Sequence, residues 1–286
     1  MKNLKNSIML LIVILIWGVN WVNMKIGLYY ATPLNYLFQR FFFSSFMIAP
    51  FLLFTKNGFR RDLKVFVNVV VLCVIYAFSV TFLMIGLEHE SAGISSVVTF
   101  TQPLFVFALS AIFLRNEITK VRVVGVLIGF GGIAMIYLEK IWGLEYTTLS
   151  IVFLLASAFL WAVTIVHYKI ISDKVHPYWI SFFQVAIGSI IVYPFALWTG
   201  GVVFVSDLPY IFSLVYVTVL STVVAFFLWF YLLRSEDAAK VSSSSLMIPV
   251  VALISGNLLL GEMINLPQIV GVIMVLTGVY LVNRRG

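Results

Sequence analysis

Charge is the scarcest commodity in this chain. Only 10% of its 286 residues are Asp, Glu, Lys or Arg, against about 25% in a soluble globular domain. No stretch is polar enough to make a separate soluble catalytic domain. There is one cysteine, Cys73, inside an apolar run, which excludes an internal disulfide. No Cys/His set has metal-ligand spacing, so no metal and no cofactor is expected. The phosphate-loop pattern GxxxxGK[ST] is missing, which argues against ATP-driven work within this chain. All eleven acids sit in loops or at helix ends. The buried carboxylate that proton- or sodium-coupled pumps use is therefore lacking. Were the chain to move solutes, facilitated diffusion or exchange would follow, with coupling through Glu117 or Glu262 as the alternative. No Lys/Arg cluster occurs at membrane depth, which speaks against phosphorylated substrates. An intramembrane enzyme needs a nucleophile–base pair or a metal set. Cys73 and His167 are the only candidates, and neither has a visible partner.

Apolar residues are abundant. They make up 62% of the sequence, and the mean hydropathy is +1.10. A spanning helix needs about 20 apolar residues. Ten such segments fit: 7–24, 34–54, 65–87, 92–114, 121–138, 149–171, 178–197, 208–233, 239–260 and 266–282. The first is too long for a signal peptide and lacks a small-residue cleavage pattern, so it reads as a span. The expected class is an all-α, multi-pass integral membrane protein. With the N-terminus inside, fifteen of the eighteen Lys and Arg fall on the cytoplasmic side. Both termini are then cytoplasmic. The net charge of +7 reflects loops facing anionic lipid rather than nucleic acid. The bilayer and a small-molecule substrate are the expected partners.

An internal repeat organises the chain. Trp17 and Trp161, Lys25 and Lys169, Pro33 and Pro177, and Pro50 and Pro194 are each 144 residues apart. Pro103 and Pro249, Gly125 and Gly271, and Gly132 and Gly278 are 146 apart. Residues 1–143 and 144–286 therefore read as two five-helix halves. Five is odd, so the second half is inverted. Inverted repeats are a device of secondary transporters, with the site near the midplane between the halves.

The stretch WGVNWVNMKIGLYYATPLNYLFQR, residues 17–40, resembles the opening motif of the EamA family within the drug/metabolite transporter superfamily. Its features are Trp-Gly in the first helix, a Lys at that helix's end, a Pro before the second helix and an Arg within it. LLLGEMINLPQIVGVIMVLTGVYLV, with Gly261, Glu262 and Gly271, resembles the family's C-terminal signature. The resemblance spans nearly the whole chain. It implies a ten-helix, basket-shaped carrier exporting amino acids or other small metabolites from the cell. Nucleosides, sugars and sugar phosphates are the alternative cargoes within that superfamily. The second half departs at two places, where Gln184 answers Arg40 and Ala162 answers Gly18.

Candidate solute-binding residues follow from the two prolines and from misplaced aromatics. Proline has no N–H, so Pro103 strands the Thr99 carbonyl and Pro249 that of Ser245. A broken polar helix at membrane depth reads as a cavity lining. Ser95, Thr99 and Gln102 share one face of the first kinked helix, and Ser242 and Ser245 answer in the other. The plain alternative is polar glue between helices. Trp17 lies roughly 16 Å into its helix at 1.5 Å per residue, too deep for an interfacial belt. With Asn20 and Trp21, and Trp161 and Thr164 opposite, it is expected to wall an apolar or aromatic solute. Tyr76, Ser79, Leu83, Thr218, Ser221, Thr222 and Trp229 are weaker candidates. Arg40, about 9 Å below the outer boundary, is expected to snorkel or to bond a helix end, the functional alternative being attraction of a carboxylate. His167 reads as interfacial. The glycines of the fifth and tenth segments make a face for close packing of those helices within a monomer, with dimerisation as the alternative.

Overall fold

The computed structural model describes residues 2–55, 62–113, 119–136, 148–235 and 247–283. Among them there are helices and no strands. The helices are α1 (Lys2–Leu28), α2 (Pro33–Ile48, tightening into a 3₁₀ stretch over Ala49–Phe54), α3 (Leu63–Glu88), α4 (Ala92–Thr99), α5 (Gln102–Phe113) and α6 (Lys120–Ile136). After these come α7 (Thr148–Ile171), α8 (Pro177–Trp198), α9 (Leu208–Val215), a π-helical stretch (Tyr216–Val224), α10 (Ala225–Ser235), α11 (Met247–Leu260) and α12 (Leu266–Asn283). Seven helical runs are long and apolar enough to cross a membrane, and α11 and α12 are shorter apolar helices. Leu11, Phe46, Leu127, Ile190, Leu258 and Ile273 are exposed. Apolar surface on that scale fits a lipid surround rather than water.

Helix starts are set by local chemistry. Thr32 caps α2 by accepting the Asn35 N–H, and Pro33 occupies the first turn, where its missing N–H costs nothing. His176 and Pro177 repeat the device at α8. The end of α3 and the start of α4 are clamped by groups from elsewhere in the chain. Lys25 Nζ donates to the carbonyls of Leu87, Glu88 and Glu90 at 2.8–2.9 Å. The Glu262 carboxylate accepts the N–H groups of Ala92 and Gly93 at 2.6 and 3.1 Å. A cation at a helix C-terminus and a carboxylate at an N-terminus both oppose the helix dipole. Glu262 is thereby occupied in tying the end of α11 to α4.

Three pairings build the bundle: α6 with α12, α3 with α7 and α2 with α8. The first depends on glycine. A methyl group on Gly132 would stand 2.6 Å from the Gly271 carbonyl oxygen, and one on Gly125 would stand 2.7 Å from that of Gly278. Residue numbers rise along α6 as they fall along α12, so the two helices are antiparallel. The expected packing of the fifth segment on the tenth is what the structure has.

The kinks differ in part from expectation. The break at Pro103 is present: α4 stops at Thr99 and α5 begins at Gln102. In the intervening turn Phe100 N–H bonds Ser96, Thr101 N–H bonds Val98 and Leu104 N–H bonds Thr101, so none of these reaches the Thr99 carbonyl. Pro249 instead lies in the first turn of α11, where it breaks nothing described. Ser242, Ser245 and the expected break at the Ser245 carbonyl lie outside the described residues. Span 208–233, expected as an apolar spanning segment, is π-helical through Tyr216–Val224.

Candidate functional site

Four aromatic rings meet at the centre of the bundle. Trp17 of α1 touches Trp161 of α7 edge-on, with ring centroids 6.1 Å apart. It also meets Phe226 of α10 at 5.8 Å, and Phe226 meets Tyr76 of α3 at 5.9 Å. Edge-to-face geometry at these spacings is the favoured arrangement of aromatic pairs. Trp17 is fixed further by Trp229 at 5.1 Å and by its indole N–H, which donates to the Ser221 carbonyl at 3.1 Å. The π-helical stretch turns that carbonyl toward α1, and such stretches recur at functional sites.

The four rings separate two cavities and belong to the walls of both. The first holds roughly 470 Å³ of unoccupied space. Asn20, Trp21, Arg40, Ser79, Phe100 and Ser221 complete its wall, with Met24, Val80 and Leu83. It lies toward the end of the bundle where α1 and α3 finish. The second, of roughly 350 Å³, is walled by Thr164, Tyr168, Gln184, Trp229 and Phe230 among others. It lies toward the opposite end, where α7 finishes and α8 begins.

Polar groups in these walls are few. Asn20 is 5% exposed, and among the described residues its Oδ1 has no hydrogen-bond partner, nor has Ser221 Oγ. Gln184 Oε1 in the second wall likewise has none among the described residues. Ser79 and Thr164 are spent: Ser79 Oγ donates to the Ser157 carbonyl at 2.9 Å, and Thr164 Oγ1 to that of Trp161 at 2.7 Å. Arg40 is 4% exposed. Its Nε donates to Thr222 Oγ1 at 2.9 Å and its Nη1 meets Met24 Sδ at 3.4 Å. Thr222 in turn donates to the Val217 carbonyl five residues back, inside the π-helical stretch. The expectation that Arg40 snorkels is therefore corrected: a nearby hydroxyl acceptor holds the guanidinium inside, against the cavity.

Of the residues singled out in the sequence, Trp17, Asn20, Trp21, Tyr76, Ser79 and Trp161 come together on the first cavity, and Thr164 joins Trp17, Tyr76 and Trp161 on the second. Ser95, Thr99 and Gln102 line neither. They are buried, and Ser95 Oγ, Thr99 Oγ1 and Gln102 Oε1 have no hydrogen-bond partner among the described residues. Phe100, in the turn itself, reaches the aromatic centre, with its ring 5.9 Å from that of Trp161 and 6.5 Å from that of Trp21. Phe226 was missed altogether, since one phenylalanine among 26 carries no signal. Among the described residues no group of three His, Cys, Asp or Glu could hold a metal ion.

An apolar helical bundle with two cavities at its centre, stacked along the axis, has the architecture of a multi-pass membrane transport protein. Comparison with known proteins agrees. The model of the EamA-like transporter family matches this chain twice, over residues 4–138 and 148–284. The chain belongs to that family. A relative from Archaeoglobus fulgidus, described as an uncharacterized transporter, is 32% identical over 99% of this chain and all of its own length. A probable amino-acid metabolite efflux pump of Escherichia coli is 26% identical over 97% of this chain and 94% of its own. A solved crystal structure shares the fold with a TM-score of 0.69, at 14% identity over 97% of this chain and 96% of that one. The family and these relatives are transporters, not enzymes.

Proposed function

We propose that the protein is a secondary transporter that exports small metabolites, above all amino acids with apolar or aromatic side chains, across the plasma membrane. The observation that carries this reading is the pair of axial cavities sharing one aromatic septum. A solute resting on Trp17 and Trp161 is met by apolar walls on both sides, and parting the four rings in one direction or the other joins it to one end of the bundle. That is alternating access about a fixed midplane site. The printed description of the Escherichia coli relative, an amino-acid metabolite efflux pump, favours amino acids as the cargo class.

In this reading the chain crosses the membrane ten times, as an inverted pair of five-helix units, 1–143 and 144–286, in a basket-like arrangement with both ends cytoplasmic. Two contacts support the inversion. Equivalent helices related by an axis along the membrane normal would run the same way, yet α6 and α12 are antiparallel. The contacts Gly125–Gly278 and Gly132–Gly271 also exchange with each other when each glycine is swapped for its mate in the other half. Trp17 and Trp161 are mates that touch directly, as residues on the two-fold axis must. The protein acts as a monomer, its small-residue faces being consumed by α6 and α12.

The test is counterflow in proteoliposomes loaded with one unlabelled solute at a time. Accumulation of labelled leucine or phenylalanine, driven by the same or a related amino acid inside, is the expected result. Accumulation driven only by nucleosides or sugars would move the protein to the other cargo class.

A further inference from the structure

We propose that Arg40 is the anion-recognising group of the first cavity, and that it selects solutes carrying one carboxylate beside an apolar body. The inference rests on the reading of that cavity as part of the solute path, and it adds the chemical group the cargo must carry.

Arg40 is a permanent cation at membrane depth. It is buried, and no carboxylate among the described residues pairs with it. Its two contacts are a neutral hydroxyl and a thioether, on Nε and Nη1. Nη2 donates to no described residue, so the outer edge of the guanidinium remains free for a ligand. A buried charge ordinarily has a counter-charge in the fold. Here the side chain lines a cavity instead, which leaves the place of the counter-ion to whatever enters. An ionisable group inside a membrane protein that faces a cavity marks a ligand path.

The chemistry of the wall narrows the ligand. A single guanidinium balances one negative charge, and its planar fork matches a carboxylate. A phosphate monoester carries close to two charges at neutral pH and calls for further donors that this wall lacks. The remaining wall is aromatic and aliphatic: Trp17, Trp21, Phe100, Leu83 and Val80. It suits the apolar part of the same solute.

Among the described residues the second cavity carries no such cation. Gln184, 144 residues after Arg40, lines it with an uncharged amide. The anion is thus held in one chamber and meets only neutral donors in the other, so the two ends of the path differ in affinity for the charged form.

The experiment measures displacement by matched pairs: leucine and leucinamide, phenylalanine and phenylalaninamide, 3-phenylpropionate and its amide. Binding is read by the change in thermal unfolding and in tryptophan fluorescence of the purified full chain. In the natural protein each acid is expected to bind about tenfold or more tightly than its amide, the range of a charge-assisted hydrogen bond. Arg40→Gln should bring acid and amide to the same affinity without weakening the amide, and Arg40→Lys should keep a reduced preference. A purely structural Arg40 would lower both members of a pair alike. The proposal is overturned if the natural protein binds acids and amides equally, or binds none of the acids. The first comparison needs no variant, so poor folding of Arg40→Gln leaves the test intact. If amides or uncharged solutes bind and are carried in counterflow while acids gain nothing, the cavity stays the solute path and Arg40 alone loses its role.

Discussion

Trp17 concentrates most of the site's geometry in one side chain. It belongs to both cavities, touches Trp161, Phe226 and Trp229, and donates to the Ser221 carbonyl. Trp17→Phe keeps a ring in the septum and deletes the N–H. An average interhelical hydrogen bond in a membrane protein contributes about 0.6 kcal/mol, and one in a soluble protein about 1 kcal/mol. A stability loss of that size, measured by unfolding in mixed micelles, is the expected outcome, with the bundle intact. Loss of the fold would mean that the Ser221 contact holds far more than a gate. Asn20 makes the complementary case. Its Oδ1 is buried on the first cavity and has no hydrogen-bond partner among the described residues, which makes it available to a solute in the proposed reading. Asn20→Leu is expected to preserve or slightly raise thermal stability, because an unsatisfied polar atom is removed. It should also lower counterflow several-fold. Unchanged counterflow would reduce Asn20 to packing.

At the scale of elements, the α6–α12 crossing and the π-helical stretch bear the heaviest constraints. Gly132→Ala would press a methyl group to 2.6 Å from a backbone carbonyl that cannot step aside. A loss of about 1–3 kcal/mol, the range for overpacking, is expected from thermal unfolding. Gly131→Ala is the control. Its methyl group would meet only the flexible end of Met274, at 3.3 Å, and the gain in helix propensity should leave it neutral or slightly stabilising. The crossing was legible in the sequence because close approach of two backbones admits only glycine, and the glycines recur at the repeat interval. Trp17 and Trp161 were legible for a similar reason: an amphipathic ring at mid-span has no lipid interface to serve. The π-helical stretch was not legible. Tyr216–Val224 carries no proline or glycine, and one extra residue per turn leaves no trace in an apolar pattern. It rotates Ser221 and Thr222 onto Trp17 and Arg40, which raises two residues that looked like ordinary packing to central members of the site. Ser95, Thr99 and Gln102 are the other case: spacing shows that three polar side chains share a face but not which way that face turns, and the three are buried outside the walls of both cavities.

The whole molecule is an apolar bundle whose basic residues gather at one end in the sequence reading, and that bias predicts its orientation. Reporter fusions active only in the cytoplasm should signal from both the N- and the C-terminus, and single-site labels after Leu28 and after Trp198 should react from outside. Opposite placement of the two ends would require an odd number of crossings and would dissolve the inverted repeat. In the proposed mechanism the aromatic septum divides one solute path into chambers that open to opposite sides. Single cysteines placed at Leu83 and at Thr164, in a chain whose buried Cys73 is replaced by serine, test it most directly. A membrane-impermeant thiol reagent is applied to one face at a time. Cysteine at Leu83 should react only from the outer face and cysteine at Thr164 only from the cytoplasmic face, with a transported solute shifting the two reactivities in opposite directions. Reaction of both positions from the same face, or solute-independent silence at both, would contradict the account.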